Sequence, residues 1–221
     1  MKIYDPRTIA DQARAESTAR GALIAALHDK LRRLNSTLGT KQRTFISSKA
    51  KRRRVLGARQ SGKTHDIGID IVNTGFGYDP ATDTLTPART DSLYIAPSSK
   101  SARNAVWSKL HTFNDEYQLG LVLNESRLTA AFATGSTTDF EGAHDSARVQ
   151  RLRGKTVTGK AWIDESGFYA DKILRELLGP VAASMFLASP NGQRITVASS
   201  PAPQRRGLFF EIGASPEWEQ H

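Results

Sequence analysis

The pattern of apolar and polar residues along this chain predicts helices that alternate with short buried strands. Near the N-terminus, leucines recur at helical spacing, at Leu27, Leu31, Leu34 and Leu38. This spacing predicts a helix that buries one stripe and ends at Gly39. Farther along, short apolar runs bounded by turn residues predict buried strands. These runs lie at Arg54–Leu56, Ser92–Ala96, Lys160–Ile163 and Arg194–Ser199.

Helical patterns separate the predicted strands, at Asp66–Val72, Ser98–Phe113 and Asp171–Leu178. Two apolar runs on either side of a turn predict a β-hairpin between Leu119 and Ala133. The stretch that follows, from Thr138 to Thr158, is polar and rich in arginine and glycine. Alternating strands and helices predict an α/β fold, a mostly parallel sheet with helices on both faces, preceded by an N-terminal helical segment.

Composition and charge exclude several classes of protein. The 221 residues include no cysteine, which excludes disulfides and thiolate metal sites and fits a reducing cytoplasm. Mean hydropathy is −0.44, no apolar run approaches a membrane span, and no signal peptide opens the chain. The net charge of +9 indicates either a polyanionic partner or a solvated basic surface. The basic run from Lys49 to Arg54 has two possible roles. It could contact the phosphates of a nucleic acid, or it could be a solvated segment that leads into a strand.

One glycine-rich stretch fits the pattern G-x-x-x-x-G-K-[ST], the loop that cradles phosphates between a strand and a helix. Its members are Gly57, Ala58, Arg59, Gln60, Ser61, Gly62, Lys63 and Thr64. Lys63 would reach the β- and γ-phosphates, and the Thr64 hydroxyl would bind Mg²⁺. The alternative is a glycine-rich turn that matches by chance, but the flanking strand and helix favour binding of a nucleoside triphosphate.

A second pattern places two adjacent carboxylates at the end of a short apolar strand, at Asp164 and Glu165. Ligands of open α/β sheets bind at the carboxyl ends of strands. The first acid would hold Mg²⁺ and the second would orient and deprotonate an attacking water, unless both are surface acids. Before the glycine-rich loop, Gln42 has an amide donor and acceptor that could recognise adenine, although a single glutamine is usually polar surface.

Taken in order, these motifs resemble the ATPase domain of tailed-bacteriophage large terminases, the motors that package viral DNA. The resemblance runs from about Gln42 to Phe210, and its sharpest marker is an arginine inside the phosphate loop. It implies a RecA-like P-loop NTPase fold of the ASCE type. The segments that carry it are Gln42, Gly57–Thr64, Tyr94–Pro97, Arg153–Gly154, Ile163–Ser166 and Val197–Pro201.

The resemblance also implies roles for individual residues, with ATP and Mg²⁺ as cofactors. Glu165 would be the catalytic base, and Asp164 and Thr64 would hold the metal. Arg59 would stabilise transition-state charge in cis, or only neutralise phosphate in the ground state. Arg153, with Arg151 as the alternative, would be an arginine finger that reaches into the site of a neighbouring subunit. Arg153 could instead only pair with a carboxylate. The remaining assignments are adenine recognition by Gln42 and coupling to the γ-phosphate by Ser199 and Ser200.

By the same resemblance we expect double-stranded DNA as partner, in the host cytoplasm. We expect a homo-oligomeric ring on the portal of the procapsid, or a monomer in isolation, with a small terminase subunit as a further partner. Residues 1–41 would form a helical segment packed on the core, 42–213 the ATPase domain, and 214–221 a polar tail or truncation point. The acids beyond Pro201 are too few for the nuclease domain usual in large terminases, so we expect no DNA cleavage.

Two other functions use the same motifs. A helicase-like ATPase would separate strands, although the chain is short for two RecA-like domains. A nucleotide-gated module for DNA binding or assembly would scarcely hydrolyse ATP alone, because its finger comes from a neighbouring subunit.

Overall fold

The structure is a computed structural model that describes residues 6–58, 61–190, 192–201 and 207–221, with the backbone alone for 6–13. In these ranges the strands are β1 Arg52–Leu56, β2 Tyr78–Asp79, β3 Thr84–Leu85, β4 Asp91–Ala96, β5 Val122–Asn124, β6 Thr129–Ala131, β7 Thr137–Gly142, β8 Ala161–Ile163, β9 Ile195–Ser199 and β10 Glu219–Gln220. The helices are α1 Pro6–Ser36, α2 Thr40–Ser47, α3 Lys63–Phe76, α4 Ser99–Ala102, α5 Ser108–Tyr117, α6 Ser146–Arg151, α7 Asp171–Glu176, α8 Ala182–Met185 and α9 Leu208–Glu211.

Short turns of tighter or wider helix extend these elements. Wide π-helical turns join α4 to α5 at Arg103–Trp107 and α7 to α8 at Leu177–Val181. Tighter 3₁₀ turns follow α6, β8 and α9, at Leu152–Gly154, Ser166–Phe168 and Ile212–Ala214. Of the helices in the described ranges, none combines the length and the apolar character needed to cross a bilayer.

The main sheet has the strand order β10-β1-β9-β8-β4-β7-β6-β5. Strands from β10 to β7 pair in parallel, and the β5–β6 hairpin adds two antiparallel strands at one edge. The predicted mostly parallel α/β fold is therefore confirmed. Because parallel strands share a direction, the carboxyl ends of β1, β9, β8, β4 and β7 meet at the same edge of the sheet.

Helices cover both faces of this sheet, and alternating strand residues divide its core in two. Tyr94 and Trp162 belong to the cluster under α1, α2, α3 and α5, where Leu31 and Leu34 of the predicted leucine stripe are also buried. Ile95 and Ile163, one residue farther along the same strands, belong to the cluster under α6 to α9. A strand buried on both faces reads as a continuous apolar run, which is why β4 and β9 were predictable.

The last two arginines of the basic run at 49–54 form neither a DNA-contact surface nor a solvated strand entry. Arg53 and Arg54 lie in β1 with 3% and 8% of their surface exposed. Arg53 pairs with buried Asp70 of α3, whose carboxylate lies 2.6 Å from the guanidinium. Arg54 donates to the Phe209 carbonyl at 2.8 Å, and its guanidinium stacks on the Phe209 ring. These contacts remove two cations from the surface available to a partner.

The two predicted domain boundaries fall close to elements of the fold. Residues 214–221, predicted as a polar tail or truncation point, carry β10, which pairs in parallel with β1. Trp218 is 7% exposed and packs in the core, and the His221 amide donates to the Arg54 carbonyl at 2.9 Å. Polar composition hid this strand because it lies at the sheet edge, where its own side chains are exposed. The predicted boundary at 41–42 falls inside α2.

Candidate functional site

The strand order brings the predicted motifs together at the carboxyl edge of the sheet. The phosphate loop follows β1, and Asp164 and Glu165 follow β8. Ser199 is the last residue of β9, and Ser200 comes directly after it. Since β9 lies between β1 and β8, its two serines lie between the loop and the acids. Segments that are about 100 residues apart in sequence thus form one site, as expected for a switch point in an α/β sheet.

The backbone of the phosphate loop needs glycine at two positions. Gly62 is the N-cap of α3 and has φ of +90°, a conformation that other residues rarely adopt. A Cβ atom on Gly57 would lie 2.5 Å from the Ser61 hydroxyl, so a side chain at this position would require Ser61 to shift. The Gly57 amide donates to the Ser199 carbonyl at 3.3 Å, which ties the loop to β9. Arg59 and Gln60 of the predicted site lie outside the described residues.

Lys63 is the buried cation of the site, with 9% of its surface exposed. Its Nζ donates to the carbonyls of Gly57 and Ala58, both at 2.8 Å, and to the Ser200 hydroxyl at 3.2 Å. Burial lowers the pKa of Lys63, and the carboxylates of Glu165, Asp164 and Asp66 act against this shift. The ammonium is therefore positioned in the loop with carboxylates of both strand-end acids within electrostatic reach.

Asp164 is the buried acid of the site and is 3% exposed. Its Oδ2 accepts a hydrogen bond from the Tyr94 hydroxyl at 2.6 Å, and its Oδ1 accepts from the Glu165 amide at 2.9 Å. Burial raises the pKa of Asp164, while hydrogen bonds from Tyr94, Glu165 and the Thr64 side chain and the charge of Lys63 oppose the rise.

The contact between Thr64 and Asp164 tests whether Mg²⁺ fits this site. The Thr64 hydroxyl and the Asp164 carboxylate, the two ligands that the sequence predicts, lie close enough for Thr64 to lower the pKa of Asp164. One hydroxyl and one carboxylate suit Mg²⁺, which proteins usually hold with one or two side-chain oxygens while phosphates and waters complete the shell.

Glu165 begins the turn after β8 and has φ of +53°. This conformation costs about 1–2 kcal/mol for a residue with a side chain, and such strain collects at functional sites. Ser166 fixes the turn, since its hydroxyl donates to the Ile163 carbonyl at 2.6 Å. Of the carboxylates that raise the pKa of Lys63, Glu165 has the largest effect. The predicted base therefore lies within electrostatic reach of the predicted phosphate ligand.

Gln42 lies beside the phosphate loop, on α2. Its Oε1 accepts from the Gly39 amide at 2.8 Å, and its Nε2 donates to Asp66 of α3 at 2.5 Å. A Cβ on Gly62 would lie 3.0 Å from Nε2. The position suits contact with a nucleotide base, and adenine recognition, which would replace one or both of these hydrogen bonds, stays a prediction.

The two candidate fingers lie outside the cluster around Lys63. Arg153 is exposed in the turn after α6, where its carbonyl accepts from the Ser184 hydroxyl at 3.0 Å. Arg151 is exposed at the end of α6 and, with Arg148 and Lys155, lines a cleft of about 440 Å³ at the carboxyl end of β7. Surface positions of this kind are accessible to a neighbouring subunit, and the role in trans stays a prediction.

Two functional contacts escaped the sequence-based reasoning. Tyr94 belongs to the predicted strand β4, but nothing in that apolar run indicates that its hydroxyl meets Asp164. The coupling role of Ser200 stays a prediction, and its hydroxyl accepts a hydrogen bond from Lys63 that the sequence does not indicate. Both contacts depend on strand order, which the local pattern does not specify.

Fold and site together show the arrangement of a P-loop fold: a parallel sheet with a glycine-rich loop, lysine and strand-end acid at its carboxyl edge. Solved structures similar to this chain include large terminases of phages and a terminase ATPase domain. The large terminase of a thermophilic bacteriophage superposes over 82% of this chain with a TM-score of 0.64 and 13% identity. The ATPase domain of the Thermus phage P74-26 large terminase superposes over 83%, with a TM-score of 0.58 and 19% identity.

A further structure of the thermophilic-bacteriophage terminase, in complex with ADP, covers 83% of this chain with a TM-score of 0.59 and 14% identity. This chain spans 44% of the thermophilic-bacteriophage protein and 80% of the P74-26 domain. At the level of sequence, no protein-family model and no curated protein matches it. The likeness therefore establishes the fold of the terminase ATPase domain.

Proposed function

We propose that this chain is an Mg²⁺-dependent ATPase. The observation that carries the proposal is the convergence of Lys63, Thr64, Asp164 and Glu165 at the carboxyl edge of the sheet, with Lys63 between the loop carbonyls and both acids. An ADP complex of the thermophilic-bacteriophage terminase, which shares the fold, supports nucleotide binding.

In the proposed reaction each residue has one task. Lys63 would exchange the Gly57 and Ala58 carbonyls for β- and γ-phosphate oxygens, which bind an ammonium more strongly because they are charged. Thr64 and Asp164 would hold Mg²⁺, which when bound neutralises charge on the phosphates. Glu165 would orient a water and accept its proton as the water attacks the γ-phosphorus.

The comparison of Glu165→Gln with Glu116→Gln tests this reaction. Both changes replace one carboxylate by an amide, but Glu116 lies on the exposed surface of α5. Loss of the base should lower the rate of phosphate release by about 10²- to 10⁴-fold, while a fluorescent ATP analogue binds unchanged. Glu116→Gln should match the unaltered chain. An unchanged rate of phosphate release in Glu165→Gln would refute the assignment of Glu165 as the catalytic base.

The biological role that we propose is movement of double-stranded viral DNA into a procapsid in the host cytoplasm. The terminase fold and the net charge of +9 support it, with the exposed lysines and arginines available to phosphates. The chains would form a homo-oligomeric ring on the portal, together with a small terminase subunit, and Arg153 or Arg151 would act in a neighbouring site. Arg59 would act within its own site.

The protein should bind the phosphate backbone of DNA, independently of base sequence. The affinity for duplex DNA should then fall linearly with salt on a double-logarithmic plot, with a slope of about −0.9 per phosphate contact. A flat salt dependence would refute the DNA contact and leave the ATPase proposal intact. Separation of a forked duplex would instead favour the helicase-like alternative.

A further inference from the structure

We infer that Tyr94 is a positioning residue that orients Asp164 for Mg²⁺ through a buried hydrogen bond. The inference rests on the proposed function and adds a residue to it. The Tyr94 hydroxyl donates to Asp164 Oδ2 at 2.6 Å, a short distance typical of a hydroxyl bound to a charged oxygen. Tyr94 is 0% exposed, so water does not compete for this contact.

The strand register explains why Tyr94 reaches this acid. Tyr94 of β4 pairs with Trp162 of β8, two residues before Asp164. The Asp164 amide also donates to the Ile95 carbonyl at 2.8 Å. Strand β4 therefore holds both the backbone and the side chain of the acid. The ring of Phe140, 5.6 Å from the Tyr94 ring, supports the tyrosine from β7.

Both carboxylate oxygens of Asp164 have a fixed donor, which sets the plane of the group. Oδ2 accepts from Tyr94, and Oδ1 accepts from the Glu165 amide. Rotation of the carboxylate would break both hydrogen bonds, so its remaining lone pairs keep one direction. Without the phenol, one buried oxygen loses its donor, and the nearby Lys63 ammonium becomes a competing partner.

A comparison of Tyr94→Phe with Tyr78→Phe tests the inference. Tyr78 provides a matched control because its hydroxyl donates to another aspartate, Asp83, at 2.8 Å. Binding of a fluorescent ATP analogue is measured as Mg²⁺ is added, so that the readout is metal affinity rather than turnover. Removing a group that orients a metal ligand typically weakens metal binding about 10- to 100-fold. We expect this shift in the Mg²⁺ midpoint for Tyr94→Phe and an unchanged midpoint for Tyr78→Phe.

A second comparison shows whether Tyr94 acts through Asp164. In an Asp164→Asn background, Tyr94→Phe should produce no further shift in the Mg²⁺ midpoint. An equal shift in both backgrounds would overturn the inference, as would an unchanged midpoint in the single variant. If Tyr94→Phe does not fold, a crystal structure of the unaltered chain with Mg²⁺ and an ATP analogue decides. The Tyr94 hydroxyl on Asp164 would support the inference, and a tyrosine turned away would overturn it.

The unaltered chain separates this inference from the proposed function. Mg²⁺-dependent nucleotide binding that Tyr94→Phe leaves untouched would overturn only the role of Tyr94. Nucleotide binding that is absent, or that ignores Mg²⁺, would overturn the proposed function and the inference together.

Discussion

Replacing Asp70 with asparagine should destabilise the fold more than any surface change of the same kind. Asp70 lies in α3, behind the phosphate loop, and is 1% exposed. Its carboxylate accepts from Arg53 of β1 at 2.6 Å, from Lys160 at 2.7 Å and from the Trp162 indole of β8 at 2.8 Å. Asp70 therefore connects α3, the helix after the phosphate loop, to β1, the strand before it, and to β8, the strand that Asp164 follows.

The size of the effect follows from burial of the partners. Arg53 is 3% exposed and the Lys160 side chain 13%, so Asp70→Asn would leave two cations with little access to water. Removing one partner of a buried ion pair costs about 3–5 kcal/mol. In a chain of this length, about 2–4 °C of melting temperature is lost per kcal/mol, which gives a drop of roughly 6–20 °C.

Thermal and urea unfolding followed by far-UV circular dichroism measure this loss. Glu217→Gln is the matched control, because Glu217 pairs with Arg52, the neighbour of Arg53, but is 67% exposed. An exposed pair contributes about 0–1 kcal/mol. If both variants lose the same free energy of unfolding, the buried network does not stabilise the fold as we describe.

Three further predictions concern pH, backbone and assembly. Burial lowers the pKa of Lys160 from 10.5 to about 8; in that pH window the unfolded chain keeps a proton that the folded chain releases. The free energy of unfolding should therefore rise with pH relative to Lys160→Met in urea titrations, and parallel curves would contradict this. Gly77→Ala should destabilise more than Gly120→Ala, because both have φ of +73° but only at Gly77 would a Cβ meet a carbonyl oxygen, 2.2 Å away; equal melting temperatures would contradict the clash. Arg153→Ala should lower ATP hydrolysis only at protein concentrations where subunits assemble, and equal loss in dilute monomer would contradict a role in trans.

The site was largely predictable from sequence because its chemistry is local. Lys63 and Thr64 follow the glycines that shape their loop, and Asp164 follows the strand that delivers it, so each motif contains its own structural cause. Their convergence needed only the rule that parallel strands end at one edge.

Long-range pairing explains what the sequence did not show. The local sequence placed the basic run of β1 on the protein surface, because the partner of Arg53, Asp70, lies 17 residues away. Lys160, the second cation on Asp70, lies a further 90 residues along the chain. Strand β7 was hidden in a polar stretch, since buried Thr138 and Phe140 alternate with polar residues that are only half-buried. In both cases the tertiary partner, rather than the local pattern, decides which polar residues are buried.

The most direct test of the central claim is a crystal structure of the Glu165→Gln variant with ATP and Mg²⁺. Our account predicts a triphosphate in the loop with its β- and γ-phosphates on Lys63, a metal ion between Thr64 and Asp164, and residue 165 facing the γ-phosphorus. A triphosphate bound elsewhere, for example in the cleft lined by Arg148 and Lys155, would contradict it.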